Sequence, residues 1–276
     1  ALLQARGRVS GVRLAGGEVL AADAVVYNGD IGALSALWPS PQGEAARPMP
    51  APARRRAGEV PASLSAVTWA IHARTTGFPL VRHNVFFDHD YASEFDDVFR
   101  QRRLPRQGTV YVCAQDRLDD GSGVHGPERL LALVNAPAAG PDAALDEQEI
   151  DACETRCLAL LRRCGLHLQA THSRQVLRRT PADFARLFPG SNGALYGPAT
   201  HGWMALFKRS GAATALPGLV LSGGSVHPGP GVPMAAMSGR LAAATLMADL
   251  ASTRRSARVR ISGGTSMPSA TTVATP

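Results

Sequence analysis

The stretch Gly223-Gly-Ser-Val-His-Pro-Gly-Pro-Gly-Val-Pro233 constrains this chain more than any other. Four glycines and three prolines fall within eleven residues. Proline fixes φ and lacks an N–H, whereas glycine lets backbone come close to a ligand. The apolar run Gly218-Leu-Val-Leu-Ser222 just before it reads as a short buried strand. After Pro233 the pattern turns helical, with Met234, Met237, Leu241, Thr245 and Ala248 on one side among many alanines. Pro233 therefore falls near a first helical turn, whose free N–H groups and positive dipole end face the glycine loop. Strand, Gly/Pro turn and helix N-terminus together make a place for a planar or anionic cofactor group. A tight strand–helix connection without a ligand has the same spacing, so the residues alone leave both readings open.

The 276 residues, 45% hydrophobic and 18% charged, suit one large globular domain or two modest ones. The formal charge of +7 is almost wholly arginine, Lys208 being the one lysine. An Arg-, Ala-, Gly- and Pro-rich chain of this kind is weak evidence for nucleic acid, and none is expected as a partner. Arg54-Arg-Arg56 and the arginines between Arg100 and Arg106 suit either anionic lipid or a solvated surface. Cys153, Cys157 and Cys164 share one expected helix at spacings of four and seven, as in a buried stripe, and Cys113 sits in an apolar run. Without Cys-x-x-Cys, structural zinc has no support, and no disulfide framework is evident. No apolar run reaches the ~18 residues of a membrane span. Neither a Ser-His-Asp order nor paired carboxylates stand out, so a hydrolase or metal enzyme has no support.

Along the chain, Arg8–Leu14, Glu18–Ala21 and Ala24–Tyr27 read as two strands of a hairpin and then a buried strand. Residues 39–61, rich in Pro, Ala and Arg, read as a linker. Leu64–Ile71, Asn84–Phe87, Thr109–Ala114, Arg129–Val134 and Gln169–Leu177 read as strands. Tyr91–Gln101 reads as a helix with Phe95, Val98 and Phe99 on its apolar face, Glu147–Cys164 as a long helix and Pro181–Leu187 as a short one. Strand alternation places Phe86 and Phe87 on opposite faces. Gly121-Ser-Gly-Val-His-Gly126 matches Gly-x-Gly-x-x-Gly literally, but it lies between two strands and lacks the following helix of a dinucleotide fingerprint. Residues 253–276 carry Ser, Thr and Ala without periodicity and read as a disordered tail.

Gly-Gly-x-x-His-Pro-Gly-x-Gly-Val-Pro resembles the C-terminal flavin motif of carotenoid desaturases of the bacterial phytoene desaturase type. Ser65-Ala-Val-Thr-Trp-Ala-Ile-His72, Arg82-His-Asn-Val-Phe-Phe87, Val110-Tyr-Val-Cys-Ala-Gln-Asp116 and Leu131-Ala-Leu-Val-Asn-Ala-Pro137 are similar to the 1-hydroxycarotenoid 3,4-desaturases, or methoxyneurosporene dehydrogenases, within that family. The resemblance runs from about Arg8 to Leu250. It implies an α/β fold (α+β mixed): a C-terminal remnant of a Rossmann-like FAD-binding domain over 1–35 and 212–252, and a mixed or antiparallel-sheet substrate domain over 58–190. Members carry their glycine fingerprint at the extreme N-terminus, so this chain is expected to be the C-terminal part of a longer enzyme and inactive alone. The cofactor implied is FAD, against Gly223, Gly224, His227, Gly229, Gly231, Val232, Pro233 and Met234. His227 is either a loop histidine bonded to backbone or a contact to flavin or substrate. Tyr196, Trp203, Met204 and Phe207 line an apolar tunnel or pack between the two units, and Trp69 is a further candidate to meet substrate. The implied reaction is flavin-dependent desaturation of a carotenoid, with the chain held peripherally to a membrane surface on the cytoplasmic side. A non-catalytic apolar-ligand module, and another flavin oxidoreductase such as an amine oxidase or carotenoid isomerase, remain the alternatives.

Overall fold

The computed structural model describes residues 1–38, 62–140, 145–170, 176–199 and 209–258, with side chains to Ser252 in the last segment. The expected linker at 39–61 lies outside these residues. The chain opens with strands β1 (Leu2–Ala5), β2 (Arg8–Arg13) and β3 (Val19–Ala21) in an antiparallel sheet, ordered β1-β2-β3. β1 was not legible because Arg6-Gly7 forms a two-residue turn with both residues at positive φ, joining two short strands without an Asn-Gly or Asp-Gly signal. β4 (Val25–Tyr27) pairs in parallel with β11 (Leu219–Leu221), matching Val25 to Leu219 and Tyr27 to Leu221. β4 is not the buried strand expected of it: Val26 is 51% exposed. β11, in contrast, is buried at all three positions, against Leu2, Val9, Leu34 and Val226. A 3-10 turn (Ile31–Ala33) and the single-turn α1 (Leu34–Leu37) follow β4.

The second unit is a six-stranded, wholly antiparallel sheet. β5 (Ser65–Gly77), β6 (His83–Phe86), β7 (Val110–Ala114) and β8 (Glu128–Ala136) are ordered β5-β8-β7-β6. The single strand expected over Gln169–Leu177 is two, β9 (Leu166–Ala170) and β10 (Val176–Arg179). Both lie on the same edge of β5: Ala170 is opposite Ala73 and Val176 opposite Ile71. β9 and β10 thus meet β5 on either side of the single position His72, an interruption that apolar patterning does not signal. The loop carrying Gly121 to Gly126 connects β7 to β8, as the missing helix required.

One face of this sheet is sealed by α3 (Glu147–Arg163). Asp146 caps it, its side chain accepting from the Gln148 N–H at 3.2 Å, and Arg162 and Arg163 sit in its last turn, where positive charge suits the dipole. Ile150, Cys153, Cys157, Leu160 and Leu161 are buried against Val67, Trp69, Val110 and Val134. Each fully buried Leu or Val in this layer contributes about 1.5–3 kcal/mol. Cys164 is not part of the stripe; it is the exposed C-cap, one residue past the last helical turn. The other face of the sheet, carrying Val85, Tyr111, Cys113, Leu131 and Leu133, remains partly open.

Between Tyr91 and Arg100 the expected helix is present but rotated, so that only Val98 of its expected apolar face is buried. α2 (Tyr91–Phe95) runs into a π-helical turn (Asp96–Arg100), and the buried face carries Glu94, Asp97 and Val98, while Phe99 is exposed. Glu94 accepts from the Thr109 N–H at 2.9 Å and from Asn135 Nδ2 at 2.7 Å. Asp97 accepts from the Arg106 N–H at 2.9 Å and from Arg103 Nε at 2.8 Å, which holds its carboxyl below the ordinary range despite burial. Of the expected apolar face Val98 is buried, Phe95 is half-buried and Phe99 is outside, and satisfied carboxylates at 94 and 97 share the interior with Val98.

α4 (Pro181–Leu187) starts at a capping box between Thr180 and Asp183. The final helix, α5 (Val232–Arg258), continues past the expected boundary at 252 into Ser-Thr-Arg-Arg-Ser-Ala-Arg, which contains neither Gly nor Pro; the rest of the expected tail lies outside the described residues. Its Met234, Met237 and Leu241 stripe does not face inward. Small residues do, with Ser238 and Ala242 buried, and Ser238 Oγ accepts from the Gly223 N–H at 3.0 Å. An Arg8–Asp249 ion pair at 2.7 Å ties the helix to β2. Among the described residues, no helix is long and apolar enough to cross a membrane.

Arg117 on the β7–β8 connection and Arg129 at the start of β8 should respond differently to substitution. Glu128 is fully buried; burial pushes its carboxyl up, but Arg117 and Thr75 hydrogen bonds win and hold it below the ordinary range. Arg117→Ala would strand that carboxylate, and urea unfolding at pH 7 is expected to show a loss of about 3–5 kcal/mol. Arg129 instead holds the more exposed Asp116, through Nε at 2.9 Å and its N–H at 2.8 Å, lowering that carboxyl to about 2. A depressed carboxyl stabilises above its unfolded range and loses that contribution as pH falls toward 2. Arg129→Gln is therefore expected to lose this small surface increment in full at pH 7 and progressively less of it as pH falls toward 2, so that urea unfolding measured across that range depends less steeply on pH than in the wild type.

Candidate functional site

The loop after β11 is fixed from four sides. Ser222 N–H donates to Tyr27 O at 2.9 Å, so the loop leaves the sheet beside the end of β4. The His227 N–H donates to Ser210 O at 2.8 Å, the Ser225 hydroxyl accepts from the Ile31 N–H at 3.2 Å, and Arg209 Nη1 donates to Gly224 O at 3.3 Å. The Ala235 N–H reaches back to Gly231 O at 2.8 Å, which makes Gly231 the first residue whose carbonyl enters the α5 ladder. Pro233 then occupies an early helical position where its missing N–H costs nothing.

The expected cofactor residues are brought together as one continuous turn, but with unequal exposure. Gly223, Gly224 and His227 are half-buried, Gly229 is buried, and Gly231, Val232, Pro233 and Met234 are exposed, Val232 to 85%. Gly231 has φ 101°, and a Cβ built on it would meet no atom of the described residues within 4 Å. Space therefore lies open directly over the N-terminus of a 27-residue helix, where first-turn N–H groups and the dipole favour negative charge.

Two charged residues that carried no motif complete the site. Asp30 follows β4 and caps the 3-10 turn, its Oδ1 accepting from the Gly32 N–H at 2.8 Å. Burial raises its carboxyl, only partly offset by the Gly32 hydrogen bond and the charge of Arg209. Arg209 bonds Tyr196 O at 3.1 Å and Gly224 O, yet its Nε is buried without a partner among the described residues. Burial lowers the guanidinium, with Asp30 acting against that. A half-buried guanidinium whose Nε–H is unsatisfied among the described residues, beside a glycine turn, suits an electron-rich or anionic planar group. The donor set of this half-site thus fits the flavin that the motif implied. Asp30 and Arg209 are isolated in sequence, and only the β4–β11 pairing sets them at the same loop.

The expected substrate-lining residues divide. Tyr196 is half-exposed, with its N–H on Ser63 Oγ at 3.1 Å. Trp203, Met204 and Phe207 lie outside the described residues. Trp69 belongs to the α3 side of the sheet: it is buried, donates through Nε1 to Glu154 at 2.8 Å, and borders a cavity of about 150 Å³ with Cys157, Leu161 and Val176. It cannot meet a ligand on the open face, because alternation along β5 sends it the other way. The same alternation buries Phe86 in the core and leaves Phe87 58% exposed on the side of Val85.

The family described as flavin containing amine oxidoreductase matches residues 3–247. A hydroxyneurosporene desaturase of Rubrivivax gelatinosus is 64% identical over 96% of this chain and 49% of its own length. One of Cereibacter sphaeroides is 43% identical over 92% and 49%. A 4,4'-diapolycopene oxygenase of a Methylomonas species is 31% identical over 88% and 48%. The chain spans about half the length of the curated relatives it matches.

Two glycines near the site should separate close packing from open space. The Gly32 and Gly190 backbones cross so tightly that a Cβ on Gly190, at φ 85°, would stand 2.2 Å from Ala33 N. Gly190→Ala is expected to cost about 2–4 kcal/mol through clash and dihedral strain together. Gly231→Ala carries the dihedral cost alone, about 1–2 kcal/mol. Equal losses for the two in denaturant unfolding would contradict this packing.

Proposed function

The chain belongs to the flavin-containing amine oxidoreductase family, and we propose that it is the C-terminal half of an FAD-dependent carotenoid desaturase. The observation that carries the reading is the space over Gly231 at the head of α5, open among the described residues, together with Arg209 beside Gly229 two residues earlier, whose Nε has no partner among those residues. Desaturation removes two hydrogens from a saturated C–C bond, and the redox chemistry is the flavin's when it is bound. The chain's own residues bind and orient. The Gly231–Met234 backbone and the α5 dipole favour negative charge at the edge of the bound group, as electrostatic stabilisation of the reduced state requires. Gly223 and Gly224 let the backbone pass close to the same group, His227 lies at the loop's midpoint, and Asp30 and Arg209 set the charge behind it.

A 1-hydroxycarotenoid such as a hydroxyneurosporene or methoxyneurosporene is the substrate we infer. Its support is the name of the two relatives at 64% and 43% identity. The open sheet face with Val85, Phe87, Leu131 and Leu133 is the apolar wall against which such a molecule would lie. The other half of the site, holding the nucleotide end of FAD, belongs to the preceding part of the longer enzyme, and the outward Met234, Met237 and Leu241 stripe of α5 is the face that part would cover. A substrate this apolar also calls for peripheral contact with a membrane, on its cytoplasmic side.

In the full-length enzyme, Gly231→Val is expected to leave the protein folded, since the helix body does not depend on it, while emptying the flavin site and abolishing desaturation. His227→Ala should be milder, with flavin retained and turnover reduced, because backbone donors make most of the contact. Bound flavin by absorbance and product by chromatography distinguish the two. Full flavin and normal turnover in Gly231→Val would remove the cofactor from this loop.

A further inference from the structure

The rotated helix α2 presents a surface that the flavin site does not use. Phe87, Tyr91, Phe95 and Phe99 form an unbroken ladder of rings, with centroid separations of 5.7, 5.0 and 6.3 Å. Tyr91 is 51% and Phe99 41% exposed, alongside the exposed Phe87. On the opposite side of the same segment, Glu94 and Asp97 are buried and saturated with hydrogen bonds. The segment is thus anchored inward by carboxylates and displays its aromatic rings outward, the reverse of an ordinary surface helix.

We propose that this ladder docks the protein on an anionic lipid bilayer. The charges around it favour that occupant. Arg100, Arg102 and Arg106 are exposed just beyond Phe99. The carboxylates on the ladder's border are engaged: Asp88 with Arg163 at 3.0 Å, Asp96 with Arg100 at 3.4 Å, and Asp90 as the α2 cap, accepting from the Ser93 N–H at 3.1 Å. Aromatic rings with a tyrosine hydroxyl and neighbouring arginines suit the headgroup–acyl boundary, where rings enter and guanidinium groups stay with phosphate. At its Phe87 end the ladder meets Val85 and the open sheet face, so it would also lead a polyene from the bilayer to that wall; this last step rests on the desaturase reading, and the docking itself does not.

The test is flotation of the 276-residue protein with phosphatidylcholine/phosphatidylglycerol vesicles free of carotenoid, which reads lipid contact separately from desaturation. Wild type is expected to float, and less at high salt because headgroup attraction is screened. Phe87→Ser/Tyr91→Ser/Phe99→Ser should lower the bound fraction about tenfold, from the loss of apolar area. Arg100→Gln/Arg106→Gln should lower it several-fold at low salt only. Leu241→Ser/Met247→Ser, on the exposed side of α5, should float like wild type. Circular dichroism checks the fold of each variant, and Tyr91→Ser alone serves if the triple variant unfolds, with a smaller loss in the same direction. The proposal is overturned if wild type does not float, if folded ladder variants float undiminished, or if only the α5 variant loses binding. Failure here would leave flavin content and turnover of the Gly231 variants untouched.

Discussion

The parallel hydrogen bonds between Val25–Tyr27 and Leu219–Leu221 join segments from opposite ends of the chain, and the rest of the site depends on that join. A parallel pair cannot be closed by a tight turn and needs a long crossover. Here the whole antiparallel sheet unit is the crossover. The pairing sets Ser222 on Tyr27, carries the glycine loop over the start of the 3-10 turn, and lets Ser225 bond Ile31. Asp30 and Arg209 acquire a common environment only because β4 and β11 end side by side.

The sheet unit has a different logic, in which buried carboxylates do the joining. Glu94 links α2 to the start of β7 and the end of β8, Asp97 folds the following turn back on itself, and Glu128 fastens the β7–β8 loop through Arg117. Each is satisfied, so the cost of burial is met and local geometry is narrowly specified. The same arrangement explains the rotation of α2: with carboxylates inside, the rings of Tyr91 and Phe99 have no place in the core.

The two faces of that sheet differ in what covers them. α3 covers one face with Ile150, Leu160 and Leu161, enclosing Trp69. The other leaves Val85 and Phe87 exposed and Leu131 and Leu133 half-buried. A tryptophan and a phenylalanine that look equivalent in sequence therefore have opposite meanings, one structural and one available.

What the sequence determined by itself was local and motif-borne. The 147–163 helix, the strands around Val110 and Leu131, the absence of a helix after Gly126 and the glycine turn before Pro233 all follow from short-range periodicity and backbone permissiveness, which act within a few residues. The family follows from the same turn together with the runs at 65–72, 82–87, 110–116 and 131–137. Tertiary structure decided the rest. It split 169–177 into two strands, turned α2 and the Met234–Leu241 stripe outward, sent Trp69 to the closed face and Phe87 to the open one, and assembled Asp30 and Arg209 at the loop. Each of these depends on which partner occupies a face or an edge, and apolar patterning marks a face without naming what covers it.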